Sequence, residues 1–121
     1  MLPGTIYIAP ADYHVLVEHD HTFSLDYSEK VNFSRPSIDV TFQTAAEVYR
    51  SNLVCLLLSG SSADGVAGLI EVKKNGGMTA IQEPSSAGFS FMPAQAAEHA
   101  EIDKTLEIED IQTFINELKT N

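Results

Sequence analysis

The run Leu53-Val54-Cys55-Leu56-Leu57-Leu58 is apolar at every position and passes directly into the small-residue stretch Ser59 to Gly65. A strand with one wet face alternates polar and apolar residues, whereas an uninterrupted apolar run fits a strand covered on both faces, as in a parallel sheet. The run therefore reads as a buried central strand. Val66 to Asn75 follows as a helix closed by Gly76-Gly77, and Met78 to Gln82 returns as a second strand. Strand, helix and strand form a βαβ unit, so the sheet is at least partly parallel.

The rest of the chain extends this pattern. Thr5 to Ala9 reads as a short strand, and Val15 to Glu18 with Phe23 to Tyr27 as a hairpin whose turn holds Asp20-His21. After the loop from Asn32 to Pro36, Ser37 is a suitable N-cap, and Ile38, Phe42, Ala45, Ala46 and Tyr49 share one helical face. Pro93 suits a first helical position opening Ala94 to His99, and Ile108 to Leu118 is a last helix with Ile108, Ile111, Ile115 and Leu118 inward. The expected fold is α/β, a doubly wound, mostly parallel sheet with an antiparallel hairpin inserted near its start. Residues 1–121 are expected to form a single domain. A doubly wound sheet normally opens with a central strand and a crossover helix, yet here a short strand leads straight into a hairpin. The sheet is thus expected to lack strands at its beginning.

Charge narrows the partners. Seventeen acids against seven bases give a net charge of -10, which repels nucleic-acid phosphates and anionic membrane surfaces. No apolar run approaches the roughly 20 residues of a membrane-spanning helix. Met1-Leu2-Pro3-Gly4 has no basic leader, and a soluble, cytoplasmic protein is expected. Cys55, the lone cysteine, lies inside the apolar run and reads as core.

Open α/β sheets place their sites beyond the carboxyl ends of the strands, which singles out Leu58-Ser59-Gly60-Ser61-Ser62-Ala63-Asp64-Gly65-Val66-Ala67-Gly68. A phosphate-binding loop needs a lysine after its second glycine, but Val66 stands there. A nucleophile elbow, Gly-x-Ser-x-Gly, places Ser62 as nucleophile but fails at Asp64, where the last glycine belongs. Asp64 could also orient the histidine of a Ser-His-Asp system, fixing its tautomer and stabilising its charged form. The alternative is that Asp64 merely caps the helix beginning near Val66, and spacing alone leaves both open.

Leu58 to Gly68 resembles the Leu-Thr-Gly-Met-Gly-x-Asp-Gly-Ala-x-Gly signature of the chemotaxis methylesterase (CheB) catalytic domain. The resemblance takes in Leu2-Pro3-Gly4, Tyr7-Ile8-Ala9-Pro10 with His14, Asn32, Arg35-Pro36-Ser37-Ile38-Asp39, Gly76-Gly77, Gln82 and Met92-Pro93. It implies a doubly wound α/β fold and hydrolysis of glutamate methyl esters on chemoreceptor cytoplasmic helices by serine, histidine and aspartate, without a cofactor; separately, no His, Cys or acid spacing in the sequence suggests a metal site. Asp64 matches the triad aspartate. Ser61 replaces a methionine whose backbone N–H resembles an oxyanion donor, so Ser61 and Ser62 are implied as backbone contributors to that site. Phe91 replaces a glycine before Met92-Pro93.

The departures are equally informative. The family's Gly-x-Ser-x-Gly-Gly segment, which carries the nucleophile, and its Gln-His-Met-Pro-like stretch, which carries the base, do not occur. His19 and His21 flank a polar turn, His14 suits a structural hydrogen bond and His99 suits a helix end, so none is marked as a substitute base. The chain is therefore expected to be a truncated methylesterase domain, inactive alone. The partners implied are receptor helices, an amino-terminal fragment or response-regulator domain, and a second copy of the chain. Two rivals stand beside this: a non-catalytic module that binds receptor helices, and an independent serine hydrolase using Ser62.

Overall fold

The computed structural model describes residues 1–118. The order of elements is β1 (His14–Val17), β2 (Phe23–Asp26), α1 (Ile38–Tyr49), β3 (Val54–Leu57), α2 (Val66–Lys74), β4 (Met78–Gln82), α3 (Phe91–His99), β5 (Lys104–Leu106) and α4 (Ile111–Glu117). Single 3-10 turns precede β3, α3 and α4 at Arg50–Asn52, Pro84–Ser86 and Ile108–Asp110. The architecture is α/β, with a parallel three-stranded sheet in the order β3-β4-β5. The βαβ unit forms as expected, with Val54 opposite Met78 and Leu57 opposite Ile81.

Two strand expectations need correction. The apolar run is not central among the described residues: β4 occupies the middle of the sheet, and β3 has a hydrogen-bonded neighbour on one side only. Its burial alternates accordingly, with Cys55 and Leu57 buried and Val54 and Leu56 half-buried. The expected antiparallel hairpin forms near the start of the fold, where β1 and β2 make a separate two-stranded sheet that rests on α1. Thr Oγ atoms join the two, since Thr41 donates to the Val15 carbonyl at 2.7 Å and Thr44 accepts from the Val17 N–H at 3.0 Å.

Thr5 to Ala9 is not a strand either. It runs exposed without a ladder, with the Tyr7 ring edge-on to Phe23 at 5.0 Å. With no neighbouring strand to pair with, the segment's β-propensity has nothing to act on. β5 pairs in parallel with β4 although its sequence, Lys104-Thr105-Leu106, carries little strand signal. The third helix begins at Phe91, so Pro93 stands inside its first turn and not at its first residue. The carboxyl-terminal segment is shorter than expected, and Ile108, Ile115 and Leu118 face outward with substantial exposure instead of packing inward.

The core lies where α1, α2 and α3 meet the sheet: Ala46, Cys55, Leu57, Leu69, Val72, Ile81, Met92 and Ala96 form one buried cluster. Burial pushes the Cys55 thiol up to about 12, consistent with a core residue. The helices α1 and α2 approach closely at Gly68, where an added Cβ would stand 2.6 Å from the Phe42 Cβ. That proximity brings the two helix amino termini together at the end of β3.

Candidate functional site

The loop after β3 is fastened on both sides. The Gly60 N–H donates to the Phe89 carbonyl at 2.9 Å, and the Met92 N–H donates back to the Gly60 carbonyl at 3.0 Å. A side chain at Gly60 would meet the Met92 thioether, with Cε 2.5 Å from its Cβ. Met92 is buried in the core while Phe91, at the start of α3, is half exposed beside this pairing. Gly65 then turns the chain into α2 with φ at 99°, a conformation that favours glycine, and its Cβ would also stand 2.7 Å from Leu57 Cδ1.

Between these two glycines, Asp64 is turned inward, 2% exposed. Its Oδ1 accepts from the Ser37 hydroxyl at 2.7 Å, the Asn32 amide at 3.1 Å and the Asp39 N–H at 3.2 Å. Its Oδ2 accepts from the Ile38 N–H at 2.6 Å. Asp64 does cap a helix, but the helix is α1 and not the adjacent α2. The local-cap alternative is thereby replaced by a cap across the two helices; Ser37 stands at the N-cap of α1 as expected, but its hydroxyl makes no cap of its own and donates to Asp64 instead.

The amino terminus of α2 is served by a residue to which the sequence assigned no role. Asp39 Oδ1 accepts from the Gly65 N–H at 2.9 Å and the Gly68 N–H at 2.7 Å, and Oδ2 accepts from Asn32 Nδ2 at 2.7 Å. Burial raises the Asp39 carboxyl above its ordinary range and the neighbouring Asp64 charge adds to this, while the Gly68 and Gly65 N–H groups and the Asn32 amide oppose it. An aspartate in the first turn of a helix is already a sign of dipole complementation. The sequence could show that much, but not that the helix being complemented is a different one.

His14 is buried beside this cluster. Its Nδ1 accepts from the Ser37 N–H at 3.1 Å, which leaves Nε2 to donate to the Glu29 carbonyl at 2.8 Å. Both nitrogens are thus engaged in fixing backbone, as the structural reading of His14 anticipated. His21 pairs with the Tyr49 hydroxyl at 3.1 Å on the exposed surface. Ser62 Oγ accepts from the Asp64 N–H at 3.3 Å. Ser61 is exposed, and among the described residues neither the Ser61 nor the Ser62 N–H is taken up by an internal hydrogen bond. No cluster of three His, Cys, Asp or Glu side chains is placed to hold a metal ion among the described residues.

Set against known families, residues 1–115 match the family model for CheB methylesterase. The chain belongs to the CheB methylesterase family. A Leptospira interrogans relative, provisionally named a protein-glutamate methylesterase/protein-glutamine glutaminase, is 45% identical over 118 residues, 98% of this chain and 61% of the relative. The Thermotoga maritima protein-glutamate methylesterase/protein-glutamine glutaminase is 35% identical over 107 residues, 86% of this chain and 31% of that protein. The crystal structure of the Thermotoga maritima CheB methylesterase catalytic domain superposes with a TM-score of 0.86 at 32% identity, covering 93% of this chain and 61% of that one. The chain thus spans less than two thirds of these relatives. Within this CheB-family fold, the acidic cluster at the carboxyl end of β3 unites segments that the sequence resemblance marked separately: Asn32, Ser37 to Asp39, and Leu58 to Gly68.

Proposed function

We propose that residues 1–121 are a truncated, single CheB-type domain that carries the acidic member of a Ser-His-Asp esterase and works with a second polypeptide segment supplying serine and histidine. The observation that carries this reading is the Asp64 carboxylate itself, fixed at the end of β3 by four donors. A triad aspartate must hold one orientation to fix the tautomer of its histidine. Oδ1 already accepts three bonds and Oδ2 one, so Oδ2 is the oxygen with capacity for an imidazole N–H. The open N–H groups of Ser61 and Ser62 are suited to an oxyanion.

The free side of β3 gives the second segment a place to bind. An apolar groove of about 290 Å³ runs beside that edge, lined by Ile38, Phe42, Leu56, Leu58 and Met92. Edge strands with an apolar flank pair readily with another chain. The substrate class is a methylated glutamate on a chemoreceptor cytoplasmic helix, without a cofactor, in the cytoplasm. A response-regulator domain is a further partner. No helix among the described residues is long and apolar enough to cross a membrane. Alone, the chain has neither activated nucleophile nor base, and hydrolysis is not expected.

The test mixes this chain with an amino-terminal fragment bearing Gly-x-Ser-x-Gly-Gly and the histidine, and follows methanol release from methylated receptor helices. Activity in the mixture alone supports the reading. Methanol release by the isolated chain, abolished by Ser62→Ala, would replace it with the independent hydrolase. A second reading draws on the near-complete burial of Asp64, which suits a purely structural cap in a non-catalytic module. A stable but inactive mixture, together with retention of receptor helices by the chain in a pull-down, would favour that module.

A further inference from the structure

Asn32 lies outside every element, in the loop between β2 and α1, with φ at 53°. Its single Nδ2 group donates both to Asp39 Oδ2 at 2.7 Å and to Asp64 Oδ1 at 3.1 Å. No other side chain among the described residues donates to both carboxylates. We propose that Asn32 is a positioning residue for Asp64, tying it to Asp39 so that Oδ1 stays turned toward α1 and Oδ2 is left to the histidine. Its catalytic consequence rests on the assignment of Asp64 above, while the tie itself does not.

The need for such a tie follows from charge. Two carboxylates brought into one buried cluster repel, and unless donors are shared one of them takes up a proton or swings away. Asp39 is faced by Asp64, by the Gly65 and Gly68 N–H groups and by Asn32. The two backbone donors act only on Asp39. Ser37 and Ile38 act only on Asp64. Asn32 is the donor that lowers the mutual repulsion directly, and asparagine also tolerates the left-handed backbone that its place in the turn requires.

Asn32→Gly isolates the side chain, because glycine adopts a φ of 53° without strain whereas alanine would not. The chain labelled with carbon-13 at its aspartate carboxyl groups is titrated by NMR as wild type and as Asn32→Gly. The Asp39 midpoint should move upward in the variant and the Asp64 Cγ resonance should shift. Unmoved carboxyl signals in a folded variant would overturn the proposal and leave Asn32 as a turn residue only. Should the variant not fold, couplings across the hydrogen bonds from Asn32 Nδ2 to the Cγ atoms of Asp39 and Asp64 in the wild type decide instead. Both couplings are expected, and absence of the one to Asp64 overturns the tie. In an active mixture with the serine- and histidine-bearing fragment, Asn32→Gly should lower kcat by up to about 10²-fold with KM held, the scale of small misplacements at a reacting centre. An unchanged kcat there would overturn the positioning role. If the wild-type mixture is itself inactive, the assignment of Asp64 fails while the NMR result still decides the tie.

Discussion

Asp39 and Asp64 trade helices: Asp64, just before α2, accepts the N–H groups that open α1, and Asp39, in the first turn of α1, accepts those that open α2. Each carboxylate sits at the positive end of the helix dipole opposite its own segment. The exchange locks the relative placement of the two helices more tightly than a pair of local caps would, since neither helix can slide without breaking the cap of the other.

Asp64→Asn is expected to destabilise the chain by about 1–3 kcal/mol, the cost of leaving a buried donor without its acceptor. Asparagine normally replaces aspartate at a cap with little loss, because one oxygen suffices. Here both oxygens accept. Whichever way the amide is turned, an NH2 group meets either the Ile38 N–H or the three donors around Oδ1. Urea denaturation of both proteins measures the difference. A loss of only a few tenths of a kcal/mol would show that a single oxygen carries the cap.

The βαβ unit, the hairpin and α1 were legible in the sequence because period and turn chemistry are local signals. The placement of β3 at an edge was not: an apolar run reports that a strand resists water, and groove residues such as Leu56 and Leu58 read the same whether or not a neighbouring strand covers them. β5 was invisible for the opposite reason, since its pairing is secured by Asp103 and Thr79 outside the strand's own pattern. Of the site, Asp64 was visible through its loop. Asp39 was seen only as part of a resembling motif, because its bonds to Gly65 and Gly68 span 26 and 29 residues of sequence.

Two carboxylates should show opposite pH signatures. The Asp103 carboxyl is held below its ordinary value of 3.8, first by the hydrogen bond from Lys73 at 2.7 Å and then by the Thr79 N–H. Its contribution is present above pH 3.8 and is lost as pH falls through the lower folded value. Asp39 behaves inversely. Its folded value is raised by burial, so the stability associated with it is full below pH 3.8 and is lost as pH rises through the raised value. Urea midpoints of wild type and Asp103→Asn should therefore differ most above pH 3.8 and converge in more acidic buffer, an effect kept modest by partial solvent exposure of the pair. A gap that persists unchanged into acid would remove the Lys73 pairing as its source.

Gly68→Ala sets two known effects against each other. In an exposed helix, alanine in place of glycine gains about 1 kcal/mol. At this position the new Cβ would stand 2.6 Å from the Phe42 Cβ and 3.1 Å from Asp39 Oδ1. Overpacking of this kind costs about 1–3 kcal/mol, and separating the helices also draws the Gly68 N–H away from Asp39. Net destabilisation is expected, read as a lower urea midpoint at constant slope. A variant as stable as wild type would mean that α1 yields easily at Phe42.

The free edge of β3 leads to the last prediction. Among the described residues no strand pairs with its outer side, and the adjoining groove exposes Leu58 at 43% with Leu56 half-buried beside it. In the absence of a covering segment, such an edge pairs with a second copy. The chain by itself should therefore self-associate with rising concentration in sedimentation velocity. Leu56→Lys should weaken this, because a charged side chain on the groove opposes apolar pairing while leaving the Cys55 and Leu57 face of the strand packed in the core. If association is lost on Leu56→Lys, and the same substitution prevents assembly with the serine-bearing fragment, both partners use one edge. Wild-type chain that sediments as a monomer throughout would instead mean that the edge is protected without a partner, and association that survives Leu56→Lys would move the contact to another surface.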